Sequence, residues 1–157
     1  MEELNIHRNR KLTRNILIVD DDTSSEDSWQ TILQSFGENI RIDWATNETE
    51  ASGLLAVLAK LGLFYDLVIA DIFLSGSGTG LDLWKKATLI QRERFIMVSA
   101  VEPGMISEYF RSQFDLPKFL RKPFDLGEVM DLVGDILKMV SVGDVPINGN
   151  TLLDRDI

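Results

Sequence analysis

The stretch NILIVDDDTSSEDSW, residues 15–29, sets the apolar run Ile16 to Val19 directly against Asp20, Asp21 and Asp22. A short run of aliphatic and β-branched residues suits a strand buried on both faces of a parallel sheet. Three adjacent carboxylates are an awkward ending for such a strand. They repel one another and resist leaving water unless something cationic sits among them. The combination asks for a sheet whose strand end is a polar site, with partners supplied by other strands.

Those partners follow. Further short strand-like segments are IRIDWA, YDLVIA, RFIMVS and KFLRK. Helical patterns lie between them. Trp29, Ile32, Leu33 and Phe36 keep the i, i+3, i+4, i+7 spacing, with Thr23 and Glu26 as a capping box. Asn47 and Glu50 open a second helix that Gly62 stops, and a third starts near Gly80 and carries Leu81, Leu83, Trp84 and Ala87. A fourth holds Ile106, Tyr109, Phe110 and Phe114. A fifth opens at Asp125 and Glu128 and lines one face with Val129, Met130, Val133, Ile136, Leu137 and Val140. Five βα units in a row predict an α/β fold, a doubly wound five-stranded parallel sheet with helices on both faces and right-handed crossovers. Residues 13–140 form the expected domain, residues 1–12 a polar leader, and residues 141–157 a tail too poor in apolar residues for an output domain.

Composition narrows the function. The 157 residues carry a formal charge of −9, against a nucleic-acid or anionic-membrane surface, and no cysteine for disulfide, thiolate-zinc or nucleophile chemistry. The N-terminal segment lacks the apolar core of a signal peptide, and no apolar stretch approaches a membrane span, so a cytoplasmic location is expected. The sole histidine, His7, lies in the polar leader and reads as a solvated residue, and GSGTG (76–80) has neither the spacing nor the lysine of a nucleotide-binding loop.

In open α/β sheets, ligands bind outside the carboxyl ends of the strands. Here those ends deliver Asp20 and Asp21, Asp71, Ser99 and Lys122 to one edge. Clustered aspartates suit a hard divalent cation, and a carboxylate can serve as nucleophile to form an aspartyl phosphate. An ammonium and a hydroxyl then suit the phosphoryl oxygens. Phosphoryl transfer with Mg²⁺, or Mn²⁺ in its place, is the chemistry these parts predict.

ILIVDDD, DLVIAD, FIMVSA and FLRKPF, in this order, resemble the receiver domain of two-component response regulators, a chemotaxis-regulator-like single-domain receiver. The resemblance implies a flavodoxin-like (βα)5 fold with strand order 2-1-3-4-5. It implies that Asp71 accepts a phosphoryl group from a histidine kinase or histidine phosphotransfer protein. Asp20, Asp21, Asp71 and the Phe73 backbone carbonyl would hold the metal, with Asp22 leading into the first helix. Ser99 and Lys122 would bind the phosphoryl oxygens, with Phe119 as the rotating switch aromatic. Ala100, Val101 and Pro123 would be auxiliary loop residues, the Lys122–Pro123 bond often being cis in the family. A downstream protein would dock on the face of the fourth helix, fifth strand and fifth helix, where a homodimer could also form.

Two departures stand out. The loop IFLSGSGTG, residues 72–80, has no Met-Pro pair and one extra residue, and its glycines predict a permissive segment. Phe73 and Val101 stand where the family's side chains flank the attacking water, and neither can orient it, which implies slow self-dephosphorylation. The rival readings are a Mg²⁺-dependent phosphohydrolase on a similar sheet and a receiver-like scaffold that works without phosphorylation.

Overall fold

The computed structural model describes residues 13–101 and 117–138. Strands β1 (Arg14–Val19), β2 (Ile40–Ala45), β3 (Leu67–Asp71), β4 (Phe95–Ser99) and β5 (Lys118–Arg121) form one sheet in the order β2-β1-β3-β4-β5, all neighbours parallel. Helices α1 (Glu26–Gln34), α2 (Glu48–Lys60), α3 (Gly80–Lys86), the single turn α4 (Leu89–Arg92) and α5 (Leu126–Leu137) cover its faces. This is the flavodoxin-like, doubly wound order that the motifs imply.

Period-two alternation builds two cores from one sheet. Ile16, Ile18, Ile69 and Val98 point to the face where α1 supplies Trp29 and Leu33 and α5 supplies Val129 and Val133. Leu17, Val19, Val68 and Met97 point to the other, against Ala51 of α2 and Leu83 and Trp84 of α3. Each fully buried Leu or Ile stabilises by about 1.5–3 kcal/mol relative to exposure. That explains why β1, β3 and β4 read as unbroken apolar runs. At the sheet's margin β2 is only partly buried.

Local signals set the helix starts. Asn47 Oδ1 accepts from the Glu50 N–H at 2.8 Å, and Gly62, at φ +69°, ends α2 in the left-handed region. Asp125 caps α5 through the Glu128 N–H at 2.9 Å. The Thr23–Glu26 capping box does not form. Asp22 instead accepts from the Ser24 N–H at 3.0 Å and caps a 3₁₀ turn, Thr23–Ser25, that runs into α1. The charge-assisted bond of the Asp22 carboxylate to the Ser24 N–H is stronger than the bond a Thr23 hydroxyl would make to the Glu26 N–H. Helix α4 was not expected, although Thr88 and Gln91 have the spacing of a capping box. Thr88 accepts from the Gln91 N–H, and the buried Gln91 amide bonds both backbone groups of Tyr65, at 2.8 and 3.0 Å, fixing the approach to β3. The helix expected over Ile106–Phe114, residues 1–12, Val140 and the tail lie outside the described residues. Among those described, no helix is long and apolar enough to cross a membrane.

Candidate functional site

Asp20 follows β1, Asp71 and Ser99 close β3 and β4, and Lys122 follows β5. Sheet hydrogen bonding continues one residue past the strand ends. The Asp20 N–H donates to Ala45 O at 3.0 Å, Ile72 N–H to Val98 O at 2.9 Å and Lys122 N–H to Ser99 O at 2.9 Å. The backbone beneath each of these side chains is therefore held by the sheet itself.

Lys122 is the hub of the edge. Its Nζ lies 2.9 Å from Asp71 Oδ2 and 3.5 Å from Asp20 Oδ2. The Asp20 and Asp71 side chains are only 7% and 13% exposed, so the repulsion between them is felt in a poorly solvated space. Burial raises the Asp20 carboxyl above its ordinary range; the Asp22 N–H at 2.9 Å and the Lys122 ammonium lower it, and nearby Asp71 pushes it up again. For Lys122 burial works downward, but the bond to Asp71 and the charges of Asp71 and Asp20 outweigh it, so its net shift is upward and it stays an ammonium.

Asp21 faces elsewhere. Its Oδ2 accepts from the Ser75 N–H at 3.1 Å, tying the β3–α3 loop to the end of β1. Asp71 Oδ1 accepts from the Phe73 N–H at 3.1 Å, while the Phe73 side chain is 56% exposed. The buried Ser99 Oγ accepts from the Val101 N–H at 3.1 Å, which keeps the hydroxyl on its own loop. Ala100 is exposed, and half-buried Val101 and Phe119 pack against the core shared with α2 and α3. The Lys122–Pro123 bond is cis, and Pro123 is exposed.

The loop glycines have separate reasons, and only Gly76, at φ +98°, uses the left-handed region. A Cβ on Gly80 would lie 2.2 Å from the Asp71 carbonyl oxygen, and one on Gly78 2.7 Å from Glu48 Cβ. Both are places of close packing. The Thr79–Asp82 capping box that starts α3 was there to be found in the spacing of Thr79 and Asp82. Trp44 lies in β2, next to β1. Its indole Nε1 donates to Asp20 O at 3.0 Å and so braces the acidic edge, and no local pattern announces such a bond across 24 residues.

The fit to a divalent cation can be judged from the donors. Among the described residues no three acidic or histidine side chains converge on one point, because Asp20 and Asp71 face Lys122 and Asp21 faces the loop. Even so, Asp20 and Asp71 share one ammonium, with the Asp21 carboxylate next in the chain, and the residual negative charge of this oxygen-rich edge suits a hard cation.

The model for the response regulator receiver domain matches residues 16–134. No curated protein sequence matches the chain. Among solved structures, a two-component response regulator from Clostridium difficile is 27% identical, with 82% of this chain and 100% of that one covered at a TM-score of 0.62. A response regulator receiver domain protein from Methanospirillum hungatei is 26% identical, covering 80% and 94% at 0.61. A Vibrio cholerae chemotaxis protein shares the fold at 19% identity, covering 80% and 100% at 0.61. The matched span runs from the first buried residues of β1 into α5 and holds every side chain of the acidic edge, so the chain belongs to the response regulator receiver domain family.

Proposed function

We propose that Asp71 is the phosphoacceptor of a two-component relay, and that its phosphorylation by a histidine kinase or histidine phosphotransfer protein switches an interaction surface. The observation that carries this reading is the single ammonium of Lys122, held 2.9 Å from Asp71 and 3.5 Å from Asp20. An Asp71 oxygen attacks the phosphorus of a phosphohistidine. The O–P bond forms, the P–N bond breaks, and the imidazole nitrogen leaves with the electron pair. Lys122 then exchanges its bond to the Asp71 carboxylate for one to a phosphoryl oxygen, and the Ser99 hydroxyl turns from the Val101 N–H to another. Phe119, half-buried on β5 beside Met97 of β4, fills the space that this movement opens.

Asp20, Asp21, Asp71 and the Phe73 carbonyl are the residues that would hold Mg²⁺, or Mn²⁺. The cation supplies charge neutralisation for the phosphoryl oxygens. Asp20 contributes a carboxylate that burial has already made costly to keep ionised. Downstream, a protein partner reads the β5–α5 side of the molecule.

Beryllofluoride with Mg²⁺ tests the reading, followed by amide shifts. Perturbations centred on Asp71, Ser99, Phe119 and Lys122, abolished by Asp71→Asn, are expected, and an unperturbed spectrum favours the phosphorylation-independent scaffold. Turnover of p-nitrophenyl phosphate would favour the phosphohydrolase, and none is expected.

A further inference from the structure

Away from the acidic edge, α2 and the α3–α4 segment enclose a cavity of about 230 Å³. One wall is a stripe of α2: Ser52, Ala56, Ala59 and, just past the helix, Leu63. Ser52, Ala56 and Ala59 recur at i, i+4 and i+7, so the helical part of this wall runs for about 10 Å, two turns. Lys86, Ala87 and Thr88 form the facing wall. Small residues keep it concave; Leu63, which lines it, is 56% exposed, and Leu89 and Ile90 of α4, between the lining residues Thr88 and Gln91, are 76% and 49% exposed.

The charge here runs against that of the molecule. The protein carries −9 overall, yet residues 51–65 and 83–92 contain no Asp or Glu while supplying Lys60, Lys85, Lys86 and Arg92. Of the acids at the border, Glu48 is neutralised together with Lys86, so Lys60, Lys85 and Arg92 carry the basic excess. Glu48 bonds Lys86 at 2.7 Å and Ser52 at 2.7 Å, and Asp82 closes the Thr79 capping box. Glu93 follows α4 directly. Lys60 and Lys85 are exposed, and the Arg92 guanidinium sits over the Trp84 ring at 5.0 Å.

We propose that this groove docks an acidic amphipathic helix of a partner protein. Its helical wall matches two turns of a partner helix, its apolar lining accepts side chains at i, i+3/i+4 and i+7, and its basic rim selects acidic flanks. Concavity favours a helix over a flat lipid surface. The proposal is independent of phosphorylation at Asp71.

The test titrates the full chain with an acetylated, amidated helical peptide of about eighteen residues, with Leu at every third or fourth position and Glu flanking. A second peptide has Lys for every Glu, and anionic phosphatidylglycerol vesicles form a third arm. Amide shifts confined to residues 52–63 and 83–92 are expected, with the Glu peptide binding at least about tenfold more tightly than the Lys peptide. Lys60→Glu with Lys85→Glu, both solvent-exposed, lowers Glu-peptide affinity about tenfold, and Ala59→Trp fills the groove and blocks it. Unchanged spectra, shifts elsewhere, equal affinity of the two peptides, or binding to vesicles in preference to the Glu peptide would each overturn it.

Discussion

Asp20 is a carboxylate held where water reaches it poorly, and its raised pKa fixes the sign of its effect on stability. A carboxyl whose pKa is higher folded than unfolded takes up a proton on folding as the pH falls. Its ionised form therefore costs stability above that pKa, and the cost is relieved as pH drops through it. Without divalent metal, Asp20→Asn is expected to raise Tm at neutral pH by about 2–4 °C, the shift that about 1 kcal/mol produces in a domain of this size. The gain should shrink on acidification, and thermal melts of both proteins across acidic to neutral pH check it. Lys122→Met works the other way. It leaves Asp20 and Asp71 facing each other without a cation, and urea unfolding should show a loss of about 1–3 kcal/mol that Mg²⁺ partly restores. Phe73 and Val101 present no polar side-chain atom to an attacking water. A phospho-Asp71 lifetime well beyond a few seconds with Mg²⁺ is expected, and a lifetime of seconds would contradict that assignment.

At the scale of elements, the β3–α3 loop joins the acidic edge to the helices. Asp21 holds Ser75, Gly80 packs against the Asp71 carbonyl, and Gly78 lies on Glu48. Gly80→Ala would drive a methyl group into backbone that cannot yield, and chemical denaturation is expected to show a loss of about 2–3 kcal/mol. The strand ends were legible in sequence because an apolar run stopped by Asp, Ser or Lys needs no knowledge of its neighbours. The loop was not, since the reasons for Gly78 and Gly80 lie in residues brought against them by the fold. The turn at Asp22, the brace from Trp44 and the clasp of Gln91 on Tyr65 escaped for the same reason. Each depends on which of several nearby or distant acceptors wins.

At the scale of the whole molecule, the sheet order brings β1, β3, β4 and β5 to one edge, and side chains far apart in sequence become a single charged assembly. Charge separates the two faces of interest: an acidic pocket at the carboxyl ends of the strands, and a basic-rimmed groove between α2 and α3–α4. The central claim concerns the first. Intact-mass measurement after incubation with acetyl phosphate and Mg²⁺, comparing the parent with Asp71→Asn, tests it most directly. The account predicts a gain of one phosphoryl group by the parent and none by the variant. Equal gain by both proteins, or no gain by the parent, would contradict it.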